Sequence, residues 1–152
     1  MVNMGAWCEV DDFLRDQLEM FRWIHREVGF AAFQQAVTLL SFTGEYYNAN
    51  KSRLLGPQGG WKELNGRLTA HSRLIDACVG FESRSRLHQV RCPSLIIHAG
   101  LDYVTSPAYT RPIEQAIPGA EGLLMADVAH VVAGKEQKAR FCDALFGFLG
   151  RH

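Results

Sequence analysis

The stretch that decides the fold reads Cys92-Pro93-Ser94-Leu95-Ile96-Ile97-His98-Ala99-Gly100-Leu101-Asp102. Its apolar run lacks the polar alternation of a half-exposed strand, as expected for a parallel strand that helices cover on both faces. Pro93 has no backbone N–H, which suits the position just before a strand. A second apolar run, Gly122-Leu123-Leu124-Met125-Ala126, follows a helical segment. Two such strands joined through a helix predict a right-handed parallel βαβ unit.

Two polar side chains follow these apolar runs. Asp102 comes after the first, and His130 ends the segment Asp127-Val128-Ala129-His130 after the second. The carboxyl ends of parallel strands share one crevice, where ligands usually bind. A buried carboxylate that accepts from an imidazole N–H forms two-thirds of a nucleophile–base–orienter triad. Two plainer interpretations stay open: Asp102 is an ordinary Gly-x-Asp turn residue, or Asp127 is the partner of His130.

The composition is that of an ordinary globular protein. The chain has 152 residues, of which 47% are hydrophobic and 21% charged, and 16 basic residues balance 16 acidic ones. This balance provides no net field for nucleic acid or for an anionic membrane, and no apolar run is long enough to span a bilayer. Because the first residues do not form a secretory leader, we expect a cytoplasmic location.

The cysteines and histidines do not predict a metal or a cofactor. The four cysteines are scattered without a C-x-x-C pair, so reduced thiols packed as small hydrophobic residues are expected. His98 lies inside a strand and is expected to be structural. His25, His88 and His152 show no partner at a suitable spacing, and no cluster of His, Asp and Glu suggests a metal site.

The first 80 residues are predicted to be mainly helical, because apolar residues recur there every three or four positions. The predicted elements are a helix over 11–28 capped by Asp11 and ended by Gly29, a helix over 30–40, a loop over 48–60 and a helix over 61–79. His71 lies on the last apolar stripe, where a packed core histidine is expected. The helices form either a simple helical core or a lid whose aromatic face shapes an apolar pocket.

The second half alternates strands and helices. Thr105-Ser106-Pro107 offers a helix cap followed by proline at the first helical position, but Pro112 should kink a helix that begins there. We therefore expect the regular part of this helix to run from near Arg111 to Ile117. A strand over 121–127 and an amphipathic helix over 135–149 are predicted to follow.

Three segments together resemble the C-terminal part of the α/β-hydrolase fold. They are Cys92–Asp102, the segment Ala116-Ile117-Pro118-Gly119-Ala120-Glu121, and Asp127–His130. The resemblance is nearest to enol-lactone hydrolases and small-molecule esterases. It implies an α/β protein with a short parallel sheet of about three strands, flanking helices and a helical cap. The implied organisation is a remnant of a core strand over 1–8, a cap region over 9–80 and the C-terminal core over 81–152.

The resemblance also implies functional residues. In that family the aspartate after the penultimate strand and the histidine after the last strand are catalytic, which assigns these roles to Asp102 and His130. By the same comparison Trp7, Phe42 and Val131 are candidates for the substrate pocket, and no metal or cofactor is implied.

The chain departs from the family at the nucleophile. The family's serine lies in a Gly-x-Ser-x-Gly turn upstream of the cap, and no such motif occurs in these 152 residues. Ser41, Ser83 and Ser85 lack the flanking glycines, and all three lie at or beyond the cap. The resemblance therefore covers the second half of an enzyme and leaves out the half that carries the nucleophile.

These observations lead to two functional hypotheses. In the first, the chain derives from a serine hydrolase for small apolar esters or lactones and is inactive unless a nucleophile-bearing half is supplied. In the second, it is a truncated hydrolase that acts as a non-catalytic binding or interaction module. A half-built sheet leaves an apolar edge, so we expect either self-association or a second chain that supplies the missing strands. A small helical binding domain over 11–80 also stays open.

Overall fold

The apolar run after Pro93 forms the central strand of a three-stranded parallel sheet. The computed structural model describes residues 1–55 and 67–152. In chain order the elements are β1 (Val2–Met4), α1 (Asp12–Glu27), α2 (Phe30–Ser41), α3 (Gly44–Leu55), α4 (Leu68–Val79), a 3-10 helix (Arg84–Gln89), β2 (Leu95–Ala99), α5 (Pro107–Ala116), β3 (Glu121–Met125) and α6 (Lys135–Leu149). The strand order is β1-β2-β3 and both pairings are parallel, which confirms the predicted fold class.

Helices cover both faces of β2, which is why all five of its residues are buried. Alternate side chains of a strand point to opposite faces. Leu95 and Ile97 pack in one apolar cluster that includes Phe148 of α6. Ile96 packs on the other face, in a cluster with Ile113 of α5. β3 is less covered, and Leu124 stays 53% exposed.

Helices α1, α2 and α4 pack together as a separate group, and α3 contacts α2. We call these four helices, α1 to α4, the helical segment. The Asp11 carboxylate accepts a hydrogen bond from the Leu14 N–H at 2.8 Å and so caps α1, as the sequence predicts. Leu14 and Leu18 of α1 are buried against Ile75 of α4. None of the helices in the described ranges is both long and apolar enough to cross a membrane.

Two predictions for the first half, the loop over 48–60 and the helix over 61–79, are only partly matched by described elements. The loop predicted over 48–60 is wrong for 48–55, because α3 continues to Leu55. None of the residues of this helix is buried, and its side chains make local bonds, such as that from Asn50 Nδ2 to the Tyr46 carbonyl at 2.9 Å. Positions 56–66 lie outside the described residues, and the helix predicted over 61–79 is described from Leu68 onward.

Two boundaries in the second half also differ from the prediction. α5 begins at Pro107 and includes Pro112, so the expected start near Arg111 is wrong. The only helical bond that Pro112 cannot make is to the carbonyl of Ala108, an exposed residue, so water can satisfy that group. β3 ends at Met125, two residues early, because a turn begins there.

Candidate active site

A tight turn after β2 brings Asp102 under the end of the sheet. The Gly100 N–H donates to the Met125 carbonyl at 2.9 Å, and the Leu101 N–H donates to the Val128 carbonyl at 2.9 Å. A Cβ on Gly100 would lie 2.6 Å from the Ala126 carbonyl oxygen, so this crossing requires glycine. As a result Asp102 is buried, with 3% of its surface exposed.

The Asp102 carboxylate accepts four hydrogen bonds. Oδ1 accepts from the backbone N–H of Val104 and from that of Thr105, each at 2.7 Å. Oδ2 accepts from the Thr105 hydroxyl at 3.0 Å and faces His130 Nδ1 at 2.9 Å. Burial alone would raise the pKa of Asp102, but the hydrogen bonds from His130, Thr105 and Val104 outweigh it and hold this pKa below its ordinary value.

The carboxylate determines which nitrogen of His130 carries the proton. An ionised carboxylate can only accept, so Nδ1 of His130 must donate to it. The other nitrogen, Nε2, then presents its lone pair and makes no hydrogen bond to a residue in the described ranges. The side chain of His130 is 31% exposed. This arrangement can take up a proton from a group placed beside Nε2.

The backbone around His130 is held by contacts from distant parts of the chain. The N–H of the next residue, Val131, donates to the Ser41 carbonyl at the end of α2 at 2.9 Å. Gly5, just after β1, approaches the imidazole so closely that a Cβ there would lie 3.4 Å from Cε1. Its φ of +64° also favours glycine.

Asp127, the alternative partner of His130, is occupied elsewhere. Its carboxylate accepts from Arg140 at 2.6 Å and from Gln137 at 3.1 Å, both on α6. Side-chain hydrogen bonding with Arg140 lowers the pKa of Asp127. The structure therefore pairs His130 with Asp102, across 28 positions of sequence, and Asp127 with α6.

His98 belongs to a different polar group on the α5 face of the sheet. Its Nδ1 lies 2.6 Å from the Thr110 hydroxyl and its Nε2 lies 2.7 Å from Glu114 Oε2. The group has the composition of a triad, but Thr110 is 1% exposed, so a substrate cannot reach its hydroxyl. These bonds satisfy the polar atoms of a buried histidine, the structural role expected for His98.

A cavity of about 570 Å³ lies between the helical segment and the end of the sheet. Its lining includes His130, and its volume is within the range of small-molecule sites. The residues that line it are Gly5, Trp7, Leu18, Phe21, His25, Phe30, Phe33, Arg67, Ala70, His71, Leu74, Ile75, Cys78, Val104 and His130. Apolar side chains dominate this lining.

Of the three pocket residues expected from the sequence, Trp7 lines this cavity. Phe42 stacks on Tyr46 of α3, with ring centroids 5.5 Å apart. Val131 lines a smaller groove that also contains Tyr46. The structure therefore brings Trp7 to His130 and places the other two residues toward α3.

Sequence reasoning missed part of the site. The interpretation that His25 has no partner is wrong, because its Nδ1 lies 2.8 Å from Nδ1 of His71. Both histidines line the cavity. A signal was present for His25, since it continues the buried stripe of Leu14, Leu18 and Phe21 along α1. The sequence predicts Thr105 only as part of a helix cap, whereas its hydroxyl donates to the Asp102 carboxylate.

Solved structures of α/β hydrolases share this fold. The structure of MGS-M2, an α/β hydrolase from a Medee basin deep-sea metagenome library, aligns with 99% of this chain over 55% of the MGS-M2 chain, at 18% identity and a TM-score of 0.83. The enol-lactonase from Burkholderia xenovorans LB400 matches 98% of this chain and 55% of its own, at 20% identity and a TM-score of 0.80. A thermophilic esterase from Thermogutta terrifontis matches 99% of this chain and 55% of its own, at 13% identity and a TM-score of 0.74.

The chain spans about 55% of the length of these enzymes, so it has a partial α/β-hydrolase fold, as expected for a C-terminal portion. No protein-family model matches the sequence, and no curated protein matches it.

Proposed function

We propose that this partial α/β-hydrolase fold carries the acid and the base of a hydrolase for small esters or lactones. Asp102 orients His130, and His130 is the general base. The contact of 2.9 Å between His130 Nδ1 and Asp102 Oδ2, which leaves Nε2 open beside a cavity, carries this proposal. The nucleophile comes from residues outside these 152, because no Gly-x-Ser-x-Gly turn occurs among them.

The proposed reaction moves one proton through Nε2 of His130. As a nucleophile hydroxyl attacks the carbonyl carbon of the ester, Nε2 takes the hydroxyl proton, and it returns that proton to the leaving alkoxide oxygen. In the second half the same nitrogen takes a proton from water as the water oxygen attacks the acyl carbon. It then returns this proton to the oxygen of the nucleophile as the bond between that oxygen and the acyl carbon breaks and the acid leaves. Asp102 stays ionised throughout and stabilises the transient imidazolium.

The helical segment acts in this proposal as a cap over the cavity. The proposed organisation is a core strand within 1–8, a cap over 9–80 and a catalytic core over 81–152. Trp7 lines the substrate pocket beside His130. The substrate class is supported by the structural neighbours, which include an enol-lactonase and an esterase.

We expect the chain by itself to have no hydrolase activity. An acyl transfer needs donors for the developing oxyanion, and loss of one such donor alone costs about 100- to 1000-fold in rate. Incubation of the purified chain with p-nitrophenyl acetate or with a γ-lactone should give no saturable turnover above buffer. Saturable turnover that His130→Ala abolishes would show that the nucleophile is within the chain.

The decisive test needs the missing nucleophile. The DNA that adjoins this coding sequence is searched for a Gly-x-Ser-x-Gly turn preceded by an apolar strand, and the joined polypeptide is expressed. Ester hydrolysis should then be lost in His130→Ala and in Asp102→Asn but retained in Asp127→Asn, because of these two carboxylates only that of Asp102 contacts the imidazole. Hydrolysis that survives His130→Ala would refute the proposal.

A further inference from the structure

The contact between His25 and His71 joins two helices of the helical segment. Nδ1 of His25, near the end of α1, lies 2.8 Å from Nδ1 of His71, near the start of α4. At the other end of the same helix pair, Leu14 and Leu18 pack on Ile75. Helices α1 and α4 are therefore held together by an apolar contact at one end and by two imidazoles at the other.

The two imidazoles can form this contact only in some protonation states. A neutral imidazole carries one ring proton, so in the neutral pair one Nδ1 donates and the other accepts. One added proton preserves the contact, because a charged ring can still donate to a neutral one. A second added proton places a hydrogen on both Nδ1 atoms, and two donors cannot form a hydrogen bond. The contact therefore exists only while at least one of the two rings is neutral.

Burial opposes a positive charge on either ring. His25 is 3% exposed, and its Nε2 is buried without a hydrogen-bond partner among the described residues. A charged His25 would therefore hold a buried N–H that has no acceptor there. Burial, the neighbouring His25 and the charge of Arg22 hold the pKa of His71 below its ordinary value.

Two aromatic rings of α2 pack against the pair. The ring centroid of Phe33 lies 5.9 Å from that of His25 and 4.4 Å from that of His71, and Phe30 packs edge-on to His25 at 5.3 Å. Helix α2 has no titratable side chain. This helix therefore provides no charge that could stabilise a protonated pair.

The charged groups of the other neighbouring elements are basic or already paired. On α1, Arg22 binds Glu19 of the same helix and Asp76 of α4, so both carboxylates are engaged with its guanidinium. The other titratable side chains among the described lining residues of the cavity are Arg67, Cys78 and His130. None of these three supplies a negative charge near pH 6, since burial raises the pKa of the thiol further.

We propose that the His25–His71 contact is an acid-sensitive latch between α1 and α4, which opens the cavity beside His130 when both rings become protonated. The apolar contact around Ile75 persists and acts as the hinge. Residues of both helices line the cavity, so separation of the helices at the histidine end exposes its interior to solvent. Regulation of hydrolysis by this opening is the one consequence that rests on the proposed function.

Linkage gives the expected size of the response. The closed pair holds at most one added proton, whereas the separated rings hold two, so opening takes up one proton in acid. The ratio of open to closed chains should therefore rise by up to about tenfold per pH unit below about 6.5, the ordinary pKa of an imidazole.

Amide hydrogen exchange followed by NMR on the chain itself measures this opening. Between about pH 6 and about pH 5, the protection factors of the amides over 72–75 in α4 should fall by about tenfold. At the lower pH they should also lie below those of the amides over 95–99 in β2, because the latch opens without unfolding of the sheet.

Matched variants assign the response to the pair. In His71→Gln the side-chain amide can donate to a neutral His25 or accept from a protonated one, so the contact survives in acid. The protection over 72–75 should then no longer depend on pH in this range. His25→Gln should remove the response in the same way and serves if His71→Gln does not fold. His88→Gln is the control and should keep the parent response, since His88 is exposed and does not line the cavity.

Equal protection over 72–75 at the two pH values would overturn the proposal. So would equal protection in α4 and β2 at the lower pH, which indicates unfolding of the whole chain, or a response that persists in the His71 and His25 variants or is lost in His88→Gln. None of these measurements involves hydrolysis. A latch that opens, together with no hydrolysis by the joined polypeptide, would refute the proposed function alone, and hydrolysis with no opening in acid would refute the latch alone.

Discussion

Replacing Asp102 with asparagine keeps the shape of the side chain but reverses half of its hydrogen bonding. The carboxylate accepts four bonds, whereas an amide accepts on oxygen and donates on nitrogen. The two backbone N–H groups of Val104 and Thr105 cannot become acceptors, so the amide oxygen should face them. The amide nitrogen then points at the Thr105 hydroxyl and at Nδ1 of His130.

This orientation forces a change of tautomer in His130. Two donors cannot face each other, so Nδ1 must lose its proton and accept from the amide, and the proton moves to Nε2. Nε2 then carries the proton and has no lone pair with which to act as the base, and the remaining lone pair, on Nδ1, faces the amide. Asp102→Asn should therefore remove general-base capacity while leaving the imidazole in place.

The expected loss of stability follows from the four bonds. A hydrogen bond to a charged group contributes about 1.5–3 kcal/mol and a neutral one about 0.5–1.5 kcal/mol. Replacing four charged hydrogen bonds by neutral ones therefore costs roughly 4 kcal/mol, part of which is recovered because a neutral amide is easier to bury than a carboxylate. We expect the free energy of unfolding to fall by about 2–4 kcal/mol and Tm to fall by roughly 5–15 °C.

The tautomer is read by NMR on protein labelled with ¹⁵N-histidine. In the parent chain the His130 signal should show a protonated Nδ1, and in Asp102→Asn a protonated Nε2. Asp127→Asn is the matched control, because that exposed carboxylate contacts Arg140 and Gln137 instead. An unchanged His130 tautomer in Asp102→Asn, or the same change in Asp127→Asn, would refute the reasoning.

Three further substitutions test the surroundings of the site. Thr105→Val keeps the side-chain shape and removes the hydroxyl that donates to the buried carboxylate at 3.0 Å, so urea denaturation should show a loss of about 1.5–3 kcal/mol. Gly100→Ala places a methyl 2.6 Å from the Ala126 carbonyl and should lower the free energy of unfolding by about 1–3 kcal/mol, whereas Gly147→Ala, whose methyl meets nothing within 4 Å, should not destabilise the chain in the same thermal melts. Burial lowers the pKa of His71 below its ordinary 6.5, so the folded chain takes up this proton less readily than the unfolded chain. The free energy of unfolding should therefore fall as the pH drops through 6.5, and His71→Phe should flatten that slope by up to about 1.4 kcal/mol per pH unit in denaturation curves.

The sheet and its two terminal side chains were predictable because their signals are local. An unbroken apolar run marks β2 as a strand covered on both faces, and the crossover through α5 brings β3 alongside it in parallel. Residues just beyond two parallel strands meet at one edge whatever the rest of the chain does. The contact between Asp102 and His130 follows from that geometry.

The failed boundaries have local physical causes. The sequence predicts a loop over 48–60, although residues 48–55 belong to α3, because this segment is polar and shows no apolar period; no residue of α3 is buried. Pro112 was expected to interrupt α5, but the carbonyl it leaves unbonded belongs to an exposed residue, where water can replace the helical bond. In both segments the helix forms where its residues or carbonyl groups are exposed to solvent, and the residue types alone do not predict this exposure.

By itself the sequence determined which segments are strands, which helices are amphipathic, and that a carboxylate and an imidazole follow neighbouring strands. The cavity was decided only by tertiary structure. His25 and His71 are 46 positions apart on different helices, and their contact depends on how α1 and α4 pack against each other. Apolar periodicity predicts which face of a helix is buried. It does not predict which helix packs on that face, or the relative rotation of the two helices that places two polar side chains next to each other.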